Sequence, residues 1–223
     1  MKNVLILILF SFVTNKALTQ VTEYRPMISS MQIIERKELN EGKIDGSPYL
    51  EDEFTEGTLI QKGENHTNFY FRYNALKKVV EIKVKPDDEK SYTLPASSSF
   101  KYELKNYNYQ YRNLQLENLG LVNSYFLVYY ESDNYLFVGK PILKYVEAVS
   151  KKSGFGSSKP VRYDVEILWY LGKSNGMLTQ IRLKEKDLDD FFSSDKMNKY
   201  FDQNKIKSEE DVVQMLKYYE NNI

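Results

Sequence analysis

Side-chain periodicity changes once along this chain, near Leu183, and that change restricts the fold more than any other feature. Before it, apolar residues recur every second position, as in half-buried strands. Lys78–Val84 sets Val80, Ile82 and Val84 on one face and Glu81 and Lys83 on the other. Short strands are also expected at Thr58–Gln61, Asn68–Tyr73, Tyr92–Leu94, Phe100–Leu104 and Tyr107–Leu114. Tyr125–Tyr130 and Tyr135–Val138 flank the polar loop Glu131–Asn134, a common hairpin length. Gly139-Lys140-Pro141 is expected to interrupt the return strand before Ile142–Val149. Arg162–Leu171 and Met177–Leu183 flank an Asn-Gly turn at Asn175-Gly176.

After Leu183 the spacing becomes three and four. Leu188, Phe191 and Phe192 share one helical face, as do Met197, Tyr200 and Phe201, and Val212, Val213, Leu216 and Tyr219. Ser194 or Asp195 is expected to cap the second helix, and Ser208–Asp211 forms a capping box with a shorter acid. Short helices like these are marginal alone, so their apolar faces must dock on something. Strands followed by helices argue for an α+β fold. The expected architecture is an antiparallel β-rich domain, a meander or partly closed barrel, with a C-terminal cap of short helices. The expected segments are 1–19, 20–57 as a lead-in, 58–183 as the β domain and 184–223 as the helical segment.

Residues 1–19 have the order of a secretory signal peptide: Lys2, the apolar run Val4–Phe10 extended by Phe12 and Val13, then Ala17-Leu18-Thr19. The apolar core is about ten residues, short of the roughly 20 needed to span a bilayer. Cleavage after Thr19 would remove Lys2 and Lys16, leaving 29 basic against 31 acidic residues, a net of −2. This near-neutral balance lacks the basic footprint of a nucleic-acid binder. The expected location is periplasmic or extracellular, with no membrane span left after cleavage.

Cysteine is absent and His66 is the single histidine. Disulfides, thiolate catalysis and cysteine-ligated metals are thereby excluded, and a histidine-based metal or catalytic pair is disfavoured. No cofactor, metal or catalytic residue is expected. The loop Gly154–Lys159 has glycines, hydroxyls and a lysine, but its spacing and the following proline do not fit a phosphate loop. Carboxylates cluster at Glu51-Asp52-Glu53, at Asp87-Asp88-Glu89 and at Asp187, Asp189 and Asp190, and a glycosidase needs two such groups facing across a cleft.

Tyrosine is the unusual component, with 19 residues. Tyr107, Tyr109 and Tyr111 alternate and so fall on one strand face. Exposed, they would offer a surface that stacks sugars or accepts a partner strand. Buried, they would cover a core.

The segment Gly46-Ser47-Pro48-Tyr49-Leu50-Glu51-Asp52-Glu53-Phe54, followed by Gly57-Thr58 and later by Arg72-Tyr73-Asn74, resembles a GSPYLxxxFxxGT-type motif of uncharacterised small secreted proteins of Bacteroidota. The periodic tail ending near Tyr218-Tyr219 is also similar. The resemblance implies a bacterial, exported setting and no particular activity. The expected function is that of an exported, non-enzymatic β-rich envelope protein, a binding or accessory module for an unknown protein or glycan partner. The alternative is a polysaccharide-acting hydrolase using an acidic pair. An outer-membrane barrel is a third reading, opposed by strands expected to be mostly shorter than the nine to eleven residues of a crossing.

Overall fold

The computed structural model describes residues 32–34, 44–61, 66–146 and 161–222. The expected signal segment, the Gly154–Lys159 loop and the Lys62–Asn65 turn lie outside them. The described chain is mostly β-sheet with three short helices at its C-terminal end, so "α+β" fits only loosely.

Among the described residues, all twelve strands belong to one sheet. β3 (Thr55–Gln61), β4 (His66–Asn74), β5 (Val79–Lys83) and β6 (Ser91–Thr93) form an antiparallel meander, with β1 (Gln32–Ile34) beyond β6. The chain then returns to the other edge of β3, where β7 (Phe100–Glu103) pairs. From β7, consecutive hairpins run through β8 (Asn108–Leu116), β9 (Gly120–Glu131), β10 (Tyr135–Val146), β11 (Val161–Lys173) and β12 (Leu178–Ile181). β10 also pairs β9, and β12 lies parallel to β8 through the single bridge Leu178–Leu116, so β8 to β12 close a five-stranded ring. β2 (Ile44–Gly46) runs parallel to the start of β11.

Three apolar clusters follow from strand alternation. Leu116, Phe126, Val128, Leu136, Val138, Tyr170 and Leu178 point into the ring. Phe137, Leu171 and Ile181 point outward and receive α1 (Glu185–Phe192), α2 (Asp195–Gln203) and α3 (Glu209–Asn222) through Leu188, Phe192, Met197, Phe201, Val212, Met215 and Leu216. The third cluster is aromatic. Phe69, Phe71, Tyr73, Tyr102, Tyr109 and Tyr125 pack with Leu59, Val80, Ile82 and Leu127. β9 is buried on both faces at Tyr125–Val128 because it serves two clusters at once.

The helix caps follow the sequence. Ser194 Oγ accepts the Met197 N–H at 3.3 Å. Asp211 Oδ2 accepts the Ser208 N–H at 2.9 Å while Ser208 Oγ accepts the Asp211 N–H at 3.3 Å. All three bonds satisfy amides that a helix start leaves unpaired.

Two expectations are corrected. Gly139-Lys140-Pro141 does not break the strand: β10 is continuous over twelve residues. Its pairing to β9 ends at Gly139, so Pro141 sits where that side of β10 has no β9 partner, and edges tolerate proline. Gly139 is required by packing, since a Cβ there would lie 2.7 Å from Ile167 Cγ2. Strand length also differs, with β8 to β11 running 9, 12, 12 and 13 residues. The outer face of their ring nevertheless carries the helices and part of the aromatic core, and membrane barrels have eight strands or more. Among the described residues no helix is long and apolar enough to cross a membrane.

Lys78, in the β4–β5 turn, has φ 56°, a left-handed conformation costly for a side-chain-bearing residue. Half-burial and the nearby Lys78 charge also push the Lys140 ammonium below its usual range. Lys78→Gly removes strain and repulsion together. It is expected to raise stability by about 0.5–1 kcal/mol after the extra backbone entropy of glycine is charged against it. Urea denaturation checks this through an increased midpoint at unchanged slope.

Candidate functional site

Residues 47–54 form a strap across the end of β4, and local rules explain its shape. Gly46 enters with φ 80°, and a Cβ there would lie 1.9 Å from the Tyr163 carbonyl oxygen, so only glycine fits. Ser47 Oγ accepts the Tyr49 N–H at 3.2 Å. The Pro48 carbonyl accepts the Ala75 N–H at 2.8 Å, and the Leu50 N–H donates to the Tyr73 carbonyl at 3.0 Å. The strap thus pairs with the Arg72-Tyr73-Asn74 strand end. The two parts of the sequence motif are one contact.

The strap presents side chains to two sides. Inward, Leu50 packs on the aromatic cluster, and the Glu51 carboxylate accepts three hydrogen bonds. The Tyr73 N–H donates to Oε2 at 2.8 Å, the Tyr107 hydroxyl to Oε1 at 2.6 Å, and the Tyr109 hydroxyl also to Oε1. Tyr109 stacks on Tyr73 with centroids 5.5 Å apart, and Tyr107 meets the edges of Tyr109 and Tyr129. On the far side, Glu209 at the start of α3 accepts the Trp169 indole N–H at 3.0 Å and the Tyr129 hydroxyl at 3.4 Å. Burial, reinforced by the Glu51 and Glu209 charges, pushes the Tyr107 phenol up, and burial with Glu209 does the same to Tyr129.

The alternating tyrosines are therefore not a free surface. Tyr109 is fully buried, Tyr107 and Tyr111 are half-buried, and all three pack on the aromatic core. Of the two readings open for Tyr107, Tyr109 and Tyr111, their placement fits the covered one: Glu51 of the strap accepts from Tyr107 and Tyr109, and Tyr111 packs edge-on against Tyr125. Nearby, the Tyr102 hydroxyl is buried without a hydrogen bond of acceptable geometry, although the Tyr125 phenol stands beside it. Tyr102→Phe removes that orphan donor and is expected to stabilise the fold by about 1 kcal/mol, read as a raised melting temperature.

Outward, the strap walls a cleft of about 770 Å³ against β4, β5 and the β5–β6 turn. The Arg72 guanidinium lies 3.5 Å from the Tyr49 ring centroid and 4.4 Å from that of Phe54. Its Nη2 donates to Glu81 Oε2 at 3.1 Å. Arg72 and Glu81 face each other directly in the β4–β5 register. Glu81, expected on a solvent face, is instead 2% exposed, with Asn74 Nδ2 donating to its Oε1 at 2.8 Å. Val84, expected on the core face, is exposed beyond the end of β5. Arg72 Nε is buried with no acceptor, and the two rings supply the cation's compensation there. Lys83 Nζ sits over Phe54 at 4.7 Å and donates to the Pro86 carbonyl.

Two of the three acidic clusters converge here. Asp52 and Glu53 come from the strap and Asp88 and Glu89 from the β5–β6 turn, with Lys90 and Ser91 beside them. Asp88 is engaged, accepting the Lys85 N–H at 2.8 Å. Asp87 is exposed near the cleft without lining it. The third cluster is elsewhere. Asp187 is clamped by Arg182, whose hydrogen bonds hold its carboxyl down at about 2, while Asp189 and Asp190 fall beyond the first turn of α1. His66 opens β4 opposite Ile60 and is exposed. Among the described residues no group of three or more His, Asp or Glu side chains could hold a metal ion.

The chain matches no protein-family model, no curated protein and no solved structure.

Proposed function

We propose that the chain is an exported, non-enzymatic β-rich module of a bacterial envelope, periplasmic or extracellular, that binds a polar partner in the strap cleft. The observation that carries this reading is the Arg72 wall. A guanidinium stacked on Tyr49 and Phe54 and tied to buried Glu81 is a charged surface fixed before any partner arrives. The signal-like order of residues 1–19 supports export. Binding rather than turnover is supported by how the buried carboxylates are used. Glu51 and Glu81 are each committed to fixed hydrogen-bond donors of the protein itself, which leaves neither carboxylate free to meet a substrate.

The hydrolase reading keeps one supporting observation: Asp52 and Glu53 border the same cleft as Asp88 and Glu89. One experiment separates the two. The protein is incubated with soluble envelope polysaccharides and with peptides, and both retention and turnover are followed. The binding reading expects retention without turnover, weakened about tenfold by Glu53→Lys with the melting temperature nearly unchanged, because Glu53 is exposed. Turnover abolished by Glu53→Gln or Glu89→Gln would replace it with the hydrolase.

A further inference from the structure

The charges lining the cleft are of both signs, yet they hardly pair with one another. Arg72 and Glu81 form an ion pair in its lining. Asp52, Glu53, Glu89 and Lys90 are exposed in the lining, and none makes an ion pair or side-chain hydrogen bond there. Arg72 spends a single N–H on Glu81, and its guanidinium plane is fixed by the two rings, so its remaining N–H groups have one orientation. Lys83 is held over Phe54 by its contact with the Pro86 carbonyl.

Carboxylates and cations held apart across a cleft, with one N–H of Arg72 already spent on Glu81, are complementary to a ligand that carries both counter-charges. A purely anionic ligand would meet Asp52, Glu53 and Glu89 with like charge, and a purely cationic one would meet Arg72, Lys83 and Lys90. Like-charge juxtaposition of this kind selects against the wrong partner. We infer that the cleft takes a zwitterionic ligand, a short peptide segment with an ammonium and a carboxylate, its carboxylate toward Arg72 and Lys90 and its ammonium toward Glu53 and Glu89. Arg72 is suited to the carboxylate because a planar guanidinium can present two parallel N–H groups to its two oxygens. This inference rests on the binding reading above and narrows it to one ligand class.

The test is calorimetric titration of the full chain with three probes: the tripeptide Lys-Ala-Glu, the same peptide with both termini and both side chains neutralised, and a trigalacturonate. The zwitterionic peptide is expected to bind about tenfold or more tighter than either of the others, with an affinity that falls as salt is raised. Lys90→Gln should erase the advantage of the carboxylate, and Glu53→Gln with Glu89→Gln that of the ammonium. All three residues are exposed, so circular dichroism and melting temperature should match the parent. Equal binding of the neutralised peptide, or tighter binding of trigalacturonate, overturns the inference while leaving a binding module in place. Binding of none of the three probes, with retention of no envelope polysaccharide or peptide either, overturns both.

Discussion

Raising the pH to between about 11 and 12 is expected to unfold the protein in one cooperative step. Five phenols, those of Tyr73, Tyr102, Tyr107, Tyr109 and Tyr129, are pushed well above the ordinary tyrosine range, in each case chiefly by burial. For Tyr107 and Tyr109 the Glu51 charge adds to the effect, and for Tyr129 the Glu209 charge does. A group whose folded pKa is raised contributes stability that is complete below its unfolded pKa and is lost as pH climbs toward the folded value. The unfolded chain releases these protons near pH 10, while the folded chain keeps them. Each phenol therefore costs about 1.4 kcal/mol by pH 11, and the five together roughly 7 kcal/mol. A domain's whole stability is about 5–15 kcal/mol, so the loss is decisive within the next pH unit. Tyrosinate absorbance and far-ultraviolet circular dichroism, followed together, should show a late phenolate step coincident with loss of the β signal. A smooth titration of every tyrosine with the sheet intact would contradict the aromatic core described above.

The parts of this arrangement that were legible in the sequence are those governed by local periodicity. The change near Leu183 precedes α1 by two residues, and Ser194, Ser208 and Asp211 cap the helices as their spacing suggests. Alternation put Tyr107, Tyr109 and Tyr111 on one face. It could not tell whether that face was covered, because the cover is a strap more than fifty residues away in sequence. The return of β7 to β3 and the parallel closure of β12 on β8 are long-range pairings with no local signature. Glu81 was misplaced for a related reason. Period two sets it opposite Val80 and Ile82, and it is buried because the cover over that second face, Arg72 under the strap, was invisible. One signal for the site is local: opposite charges, Arg72 and Glu81, stand at equal distances from the centre of a short turn between two strands. Cross-strand pairs of this kind register a hairpin and mark which of its faces holds charge.

Glu51→Ala is expected to cost about 3–5 kcal/mol, the largest loss from any single carboxylate, because three donors lose their acceptor together. For a chain of this length that lowers the melting temperature by roughly 10–15 °C. The Tyr73 amide cannot reorient, since it belongs to the β4 backbone, and the Tyr107 and Tyr109 hydroxyls lie where water has little access. Glu51→Gln keeps the shape and one acceptor oxygen, and either phenol can rotate its proton away from the new N–H group. It should therefore cost less than half as much. The contrast separates loss of an acceptor from loss of packing. Tyr107→Phe and Tyr109→Phe placed in the Glu51→Ala background should recover part of the lost stability, since they delete donors that no longer have a partner, whereas in the parent each should destabilise. That change of sign is a coupling only a shared network produces. Amide exchange gives an independent readout: Tyr73, and Leu50 which bonds its carbonyl, should exchange faster in Glu51→Ala than residues inside the ring such as Phe126. A Glu51→Ala protein within about 1 kcal/mol of the parent would mean that the strap is held by its backbone pairing to β4 alone, and that the carboxylate beneath it is a passenger.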